Sequence, residues 1–157
     1  MPRTLSVRMK SLRFRLAVTA LLALLFFGIV LLSVDSDVVT SRYATRKDAE
    51  KDQLFGRGWL PDFIPISSRQ IVTRNNLDLN TSEGEFFCDS TEVGSFVRRL
   101  ARWQTGTRTP FMRFEEGVAK MNAKGYLAYE YREHKDVWVF YVNPEKGHVE
   151  YVFWMER

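Results

Sequence analysis

Few residues in this 157-residue chain have the type and spacing that chemistry demands. The one cysteine, Cys88, stands just before an expected helix start, where the positive end of a helix favours a thiolate. The same residue alternates with Phe86 on an expected strand, which turns it inward as a small core hydrophobe, and that is the reading taken. Two histidines, His134 and His148, flank an expected seven-residue strand and so lie roughly 20–24 Å apart. They cannot share a metal ion, no H-E-x-x-H or C-x-x-C spacing occurs, and both are expected on the surface. The carboxylates Asp62, Asp78, Glu83, Glu85, Asp89, Glu115 and Glu116 show no spacing that points to an acid–base pair. A G-x-S-x-G elbow, a phosphate loop, an EF-hand and a dinucleotide fingerprint are all missing from the sequence. Asn80-Thr81-Ser82 fits the glycosylation sequon, a three-residue pattern that arises often by chance. The expectation is therefore no cofactor, no metal and no catalytic residue.

The net charge of +4 would suggest a nucleic-acid partner, but its source lies in the first fifteen residues. Arg3, Arg8, Lys10, Arg13 and Arg15 stand there without an acid, and the rest of the chain holds eighteen basic residues against nineteen acidic ones. No nucleic-acid partner is expected. Residues 16–34, LAVTALLALLFFGIVLLSV, carry no charge and as a helix would be roughly 28 Å long, close to the ~30 Å hydrocarbon core. Arg8, Lys10, Arg13 and Arg15 before this run, with Asp35 and Asp37 after it, set the topology by the positive-inside rule. The N-terminus is expected in the cytoplasm and everything beyond Asp35 outside, held in the bacterial inner membrane by a single span. A cleaved signal peptide is the competing reading, but this run is longer than the usual ~7–15 apolar residues and no A-x-A site follows it.

Residues 35–57 are expected to form a charged helical stalk between the span and a head at 58–157. The alternative is a helix laid on the head by Tyr43, Ala49, Leu54 and Phe55, with Arg46 able to pair with Glu50 one turn on. A proline-interrupted collar follows, GWLPDFIPIS, in which Pro61 and Pro65 hold Leu60 and Ile64 extended. It is too apolar for a free loop, so Trp59, Phe63 and Ile66 are expected against the head. An exposed aromatic patch for a partner at Trp59, Pro61 and Asp62 is the functional alternative.

In the head, RQIVTR, LDLN and EFFC read as strands, with a turn at TSEG. Val93, Phe96, Val97, Leu100 and Trp103 follow at the spacing of one helix face, which leaves Arg98, Arg99 and Arg102 near the opposite side. Thr109-Pro110 suits a helix start and Gly125 a helix end. YLAYEYR, DVWVFYV and HVEYVFWM complete an antiparallel meander whose middle strand is apolar on both faces. The fold class is α+β, a mostly antiparallel sheet with two or three helices behind an N-terminal span.

The run from Tyr43 to Cys88, with Gly58, Trp59, Pro61, Pro65, Asp78 and Asn80 as its marks, resembles the YbbD-type head domain. That resemblance covers about a third of the chain and implies a small bacterial envelope protein with one membrane or lipid anchor. It implies location and fold, and supplies no catalytic residue to carry over. The expected function is an anchored head that binds an envelope protein partner. The candidate contacts are Trp59, Pro61, Asp62, Arg98 and Arg102. An envelope enzyme with a carboxylate or thiol site, or a head that binds a small molecule or lipid, is the alternative.

Overall fold

Period-two alternation across most of the head builds one seven-stranded antiparallel sheet, seen in a computed structural model that describes residues 37–156. The strands are β1 (Val38–Thr45), β2 (Arg69–Asn76), β3 (Thr81–Phe87), β4 (Ala101–Arg102), β5 (Leu127–Glu133), β6 (Asp136–Asn143) and β7 (His148–Met155). Their order is β1-β2-β3-β7-β6-β5-β4, so β1 and β4 are the edges. Three helices complete the head: α1 (Arg46–Lys51), α2 (Ser90–Val97) and α3 (Phe114–Ala123). The α+β class and the C-terminal meander are as expected. Among the described residues no helix is long and apolar enough to cross a membrane. The expected span at 16–34, with Arg8, Lys10, Arg13 and Arg15, lies outside them.

Two cores sandwich the middle of the sheet. On the upper face α1, the collar and α2 cover Ile71, Phe86, Trp138, Phe140, Tyr151 and Phe153. On the lower face α3 places Phe114 and Val118 over Val137, Val139, Tyr141 and Trp154. Strand β6 is buried on both sides, as its unbroken apolar run VWVFYV at 137–142 requires. Burying twelve large side chains almost completely drives the assembly, at about 1.5–3 kcal/mol each before chain entropy is charged.

Four expectations are corrected. The stretch given to a helical stalk is not one: Val38–Thr45 is a strand paired with β2 from Val38↔Asn76 to Thr45↔Arg69. The β-branched residues Val38, Val39, Thr40 and Thr45 and the aromatic Tyr43 favour that strand, and helix begins only where Thr45 caps it by accepting from the Asp48 amide. From there the packed alternative holds, with Ala49 and Leu54 fully buried and Arg46 3.2 Å from Glu50. The β2–β3 hairpin also turns earlier than expected. LDLN is the turn and TSEG is strand, because Asn76 Oδ1 accepts from the Leu79 amide and Asn80 adopts a left-handed φ of 49°.

Helix α2 stops at Val97 in a tight turn, where Arg99 and Leu100 donate to the carbonyls three residues back. Its apolar stripe is therefore divided. Arg102 and Trp103 point to opposite faces of the sheet edge, which sends Trp103 into the lower core against Phe114. Helix α3 starts at Phe114 rather than at Pro110, after Arg113 turns the chain at a φ of 55°. Its end is as expected, with Gly125 left-handed at a φ of 86°.

Candidate functional site

Where β4 is only two residues long, most of β5 lacks a neighbour on its outer side, and a basic aromatic strip gathers there. Tyr129 and Tyr131 alternate onto the upper face of β5 and stay half-buried. The collar delivers Phe63, whose ring stands edge-on to Tyr131 at 4.6 Å between centroids. Two guanidiniums cover these rings: Arg99 lies 5.6 Å from the centre of Phe63 and Arg102 5.1 Å from that of Tyr129. The Tyr131 hydroxyl donates to Glu133 at 3.3 Å. Its pKa is raised above the usual phenol range, by burial first and then by the Glu133 and Asp62 charges, with Arg99 opposing.

The five expected contact residues separate across this picture. Trp59 belongs to the core: it stands edge-on to Phe153 at 6.1 Å, and its carbonyl accepts from Trp138 Nε1 at 3.3 Å. Pro61 is buried beside it. Asp62 has an exposed side chain, and its carbonyl accepts from Arg46 at 2.6 Å. Arg98 is exposed but extends back along its own helix towards Gly94. Arg102 reaches the strip. Arg99, Tyr129 and Tyr131 join it through a reversal of the chain at β4 that no local pattern announces.

A second cluster lies on the lower face. His148 was expected at the surface, and the structure corrects this: it is buried between Phe87 and Tyr126. Register is the reason, since His148 opens β7 opposite Phe87 of β3 and Asn143 of β6, inside the sheet. Its Nδ1 lies 2.7 Å from the Tyr126 hydroxyl and its Nε2 3.1 Å from Glu85. An ionised carboxylate only accepts, which assigns a proton to His148 Nε2 and makes the Tyr126 hydroxyl the partner of Nδ1. His134 is exposed in the turn before β6, as expected.

No group of residues fit to hold a metal ion occurs among the described residues. Cys88 is buried in the upper core, and burial foremost, with Glu92 second, pushes its thiol up to about 11. A thiolate is disfavoured there, in keeping with the core reading.

A groove of about 570 Å³ opens at the end of the sheet where β2 turns into β3 and β7 finishes. Leu79, Pro110, Phe111, Trp154 and Met155 form its apolar wall, with Arg108 and Glu156 at its polar margin.

Comparison with known families finds a match to the YbbD head domain over residues 37–87. The match begins one residue before β1 and ends with β3, so it takes in β1, α1, the collar and the β2–β3 hairpin. The resemblance read from Tyr43 to Cys88 is borne out over that segment. Among curated proteins and solved structures, none matches this chain.

Proposed function

We propose that this is a single-pass envelope protein of the bacterial inner membrane whose exported head binds a partner protein through the strip at the β4–β5 edge. The observation that supports it is the pairing of Arg99 and Arg102 with half-buried Phe63 and Tyr129. Arginine and aromatic side chains dominate binding energy at protein interfaces, because they combine large apolar contact with directed charge. Here the guanidiniums are already seated on rings, so less side-chain freedom is lost when a partner arrives. An acidic or carboxylate-bearing surface complements them. Asp62 lies at the margin of the same strip and limits which acidic partners fit.

A photo-crosslinking residue placed at Arg102 in the full chain, irradiated in intact membranes, tests this reading. A discrete adduct that disappears on Arg99→Glu, with the melting transition unchanged, supports it. Equal labelling at Arg102 and at exposed Lys47 would refute it. The groove beside Trp154 favours a second reading, a head that holds a small amphiphile, and Trp154 emission titrated with a long-chain fatty acid would report occupancy.

A further inference from the structure

Eight large hydrophobic side chains of the head are exposed, and they are not scattered. Val38, Val39, Leu77, Leu79 and Met155 lie at one end of the sheet, and Met112, 92% exposed, follows Phe111 of the groove wall there. Register fixes that end, with Val38 opposite Asn76 and Thr81 opposite Trp154. Asn80 Nδ2 meets Met155 Sδ at 3.4 Å across it. Ile66 and Leu127 are the exceptions, and both sit towards the other end, near Arg69 and opposite Val142.

The apolar end is also the end where the chain enters the head. The Leu77 amide donates to the Asp37 carbonyl at 2.9 Å, which places the hairpin tip beside the first described residue. The uncharged run of residues 16–34 stops three residues earlier. Three residues reach roughly 10–11 Å at full extension. With the helical stalk replaced by a strand, nothing in the sequence between Val34 and Asp37 is long enough to hold this end far from a bilayer.

Leu77 and Leu79 are 56% and 64% exposed on a four-residue turn, positions where polar residues cost nothing. Arg108 at the groove and the exposed Arg113 after Met112 add cations at the same level, matched to lipid phosphates. Asp37 and Asp78 oppose them at the hairpin tip, Glu116 lies 3.9 Å from Arg113, and Glu156 at the groove is paired with Arg132. The neighbouring Asp37 carboxyl holds that of Asp78 above its usual range.

We infer that this end of the head is a lipid-contact surface, with Leu77, Leu79 and Met112 seated in the headgroup layer and Arg108 and Arg113 on lipid phosphates. The inference rests on the anchored reading, since the three-residue connection is what brings the surface to the membrane. Such seating fixes the tilt of the head and turns the β4–β5 strip sideways along the bilayer.

Full-length chain carrying Cys88→Ala, reconstituted in vesicles of phosphatidylethanolamine and phosphatidylglycerol, tests it through a fluorophore on single cysteines. Leu79→Cys and Met112→Cys should be quenched several-fold more by lipid-borne nitroxide than Ile66→Cys at the far end, and less by aqueous iodide. Equal quenching at the three positions overturns the inference. A separate label at Leu25→Cys reports whether the run 16–34 lies in lipid. Residue 25 thus decides the anchored reading and residue 79 the seating of the head, and the two failures are told apart.

Discussion

Tyr126 Oη stands 2.7 Å from His148 Nδ1, and through that ring the residue before β5 is tied to Glu85 on β3, across the sheet. Both rings are buried, so the contact is made where water cannot replace it. His148→Ala leaves the Tyr126 hydroxyl without its partner and opens space beside Phe87. The expected loss is about 2–4 kcal/mol of unfolding free energy. Tyr126→Phe removes only the hydroxyl and should cost about 0.5–1.5 kcal/mol. Urea titrations of both variants check this. A cost for His148→Ala as small as that for Tyr126→Phe would show that the ring fills space without organising the three elements.

The strand at 38–45 makes the opposite prediction from a stalk. Tyr43 is buried against the core, and its hydroxyl donates to Asp52 at 2.6 Å. Eliminating residues 37–45 from the full chain would merely lower a head carried on a stalk. In this structure it exposes the β2 edge and the upper core instead. The expected outcome is loss of the cooperative unfolding transition, read by circular dichroism of the detergent-solubilised protein. A head that still melts cooperatively after the deletion would mean that β1 adds nothing to its stability.

What the sequence shows plainly and what it hides follow from range. The meander was legible because alternation in DVWVFYV and HVEYVFWM is a local signal, and burial on both faces follows from an unbroken apolar run. The strand at 38–45 was masked by the charged helix-forming residues after it: ATRKDAEK does form a helix, but only from Arg46. The hairpin was misplaced because LDLN alternates like a strand, while Asn76 and Asn80 carry the turn chemistry. The site was the least legible. Arg102 was identifiable as exposed, but its seat on Tyr129 depends on β4 pairing with β5, a contact between residues far apart in the chain. Burial of His148 likewise depends on a neighbour, β3, that no local pattern names.

Gly84 sits in β3 directly opposite Tyr151, and an added Cβ there would lie 2.1 Å from the Val72 carbonyl oxygen and 2.7 Å from the tyrosine ring. The tyrosine cannot retreat, because it is fully buried and its hydroxyl lies 3.2 Å from Ser82 Oγ, which donates to Asn75. Gly84→Ala should therefore destabilise the head by about 1–3 kcal/mol or more, the usual cost of overpacking. The half-buried Gly117→Ala in α3, where an added Cβ would meet open space, should stabilise by about 0.5–1 kcal/mol. Thermal melts of the pair settle the assignment, since equal effects would mean that β3 shifts to admit the methyl group.

Cys88 supplies the pH dependence. Its thiol is held up to about 11 in the folded head against an ordinary value of 9.0, chiefly by burial. Below the ordinary value both states keep the proton, and the group contributes no slope. Above it the unfolded chain releases the proton while the folded chain retains it, so stability falls as pH rises from 9 towards 11. Two units correspond to about 2–3 kcal/mol at the end of that window, and about 1–1.5 kcal/mol is reached near pH 10. Tyr141, raised to about 12 by burial, and Tyr151, raised beyond it, add to the fall only above the ordinary phenol value of 10.0. Cys88→Ala loses some packing at every pH but has no thiol to ionise. Its deficit relative to the parent should therefore be largest near pH 8 and shrink by about 1 kcal/mol near pH 10. Urea titrations at those two values make the comparison, and a deficit that does not change with pH would place the thiol in contact with water.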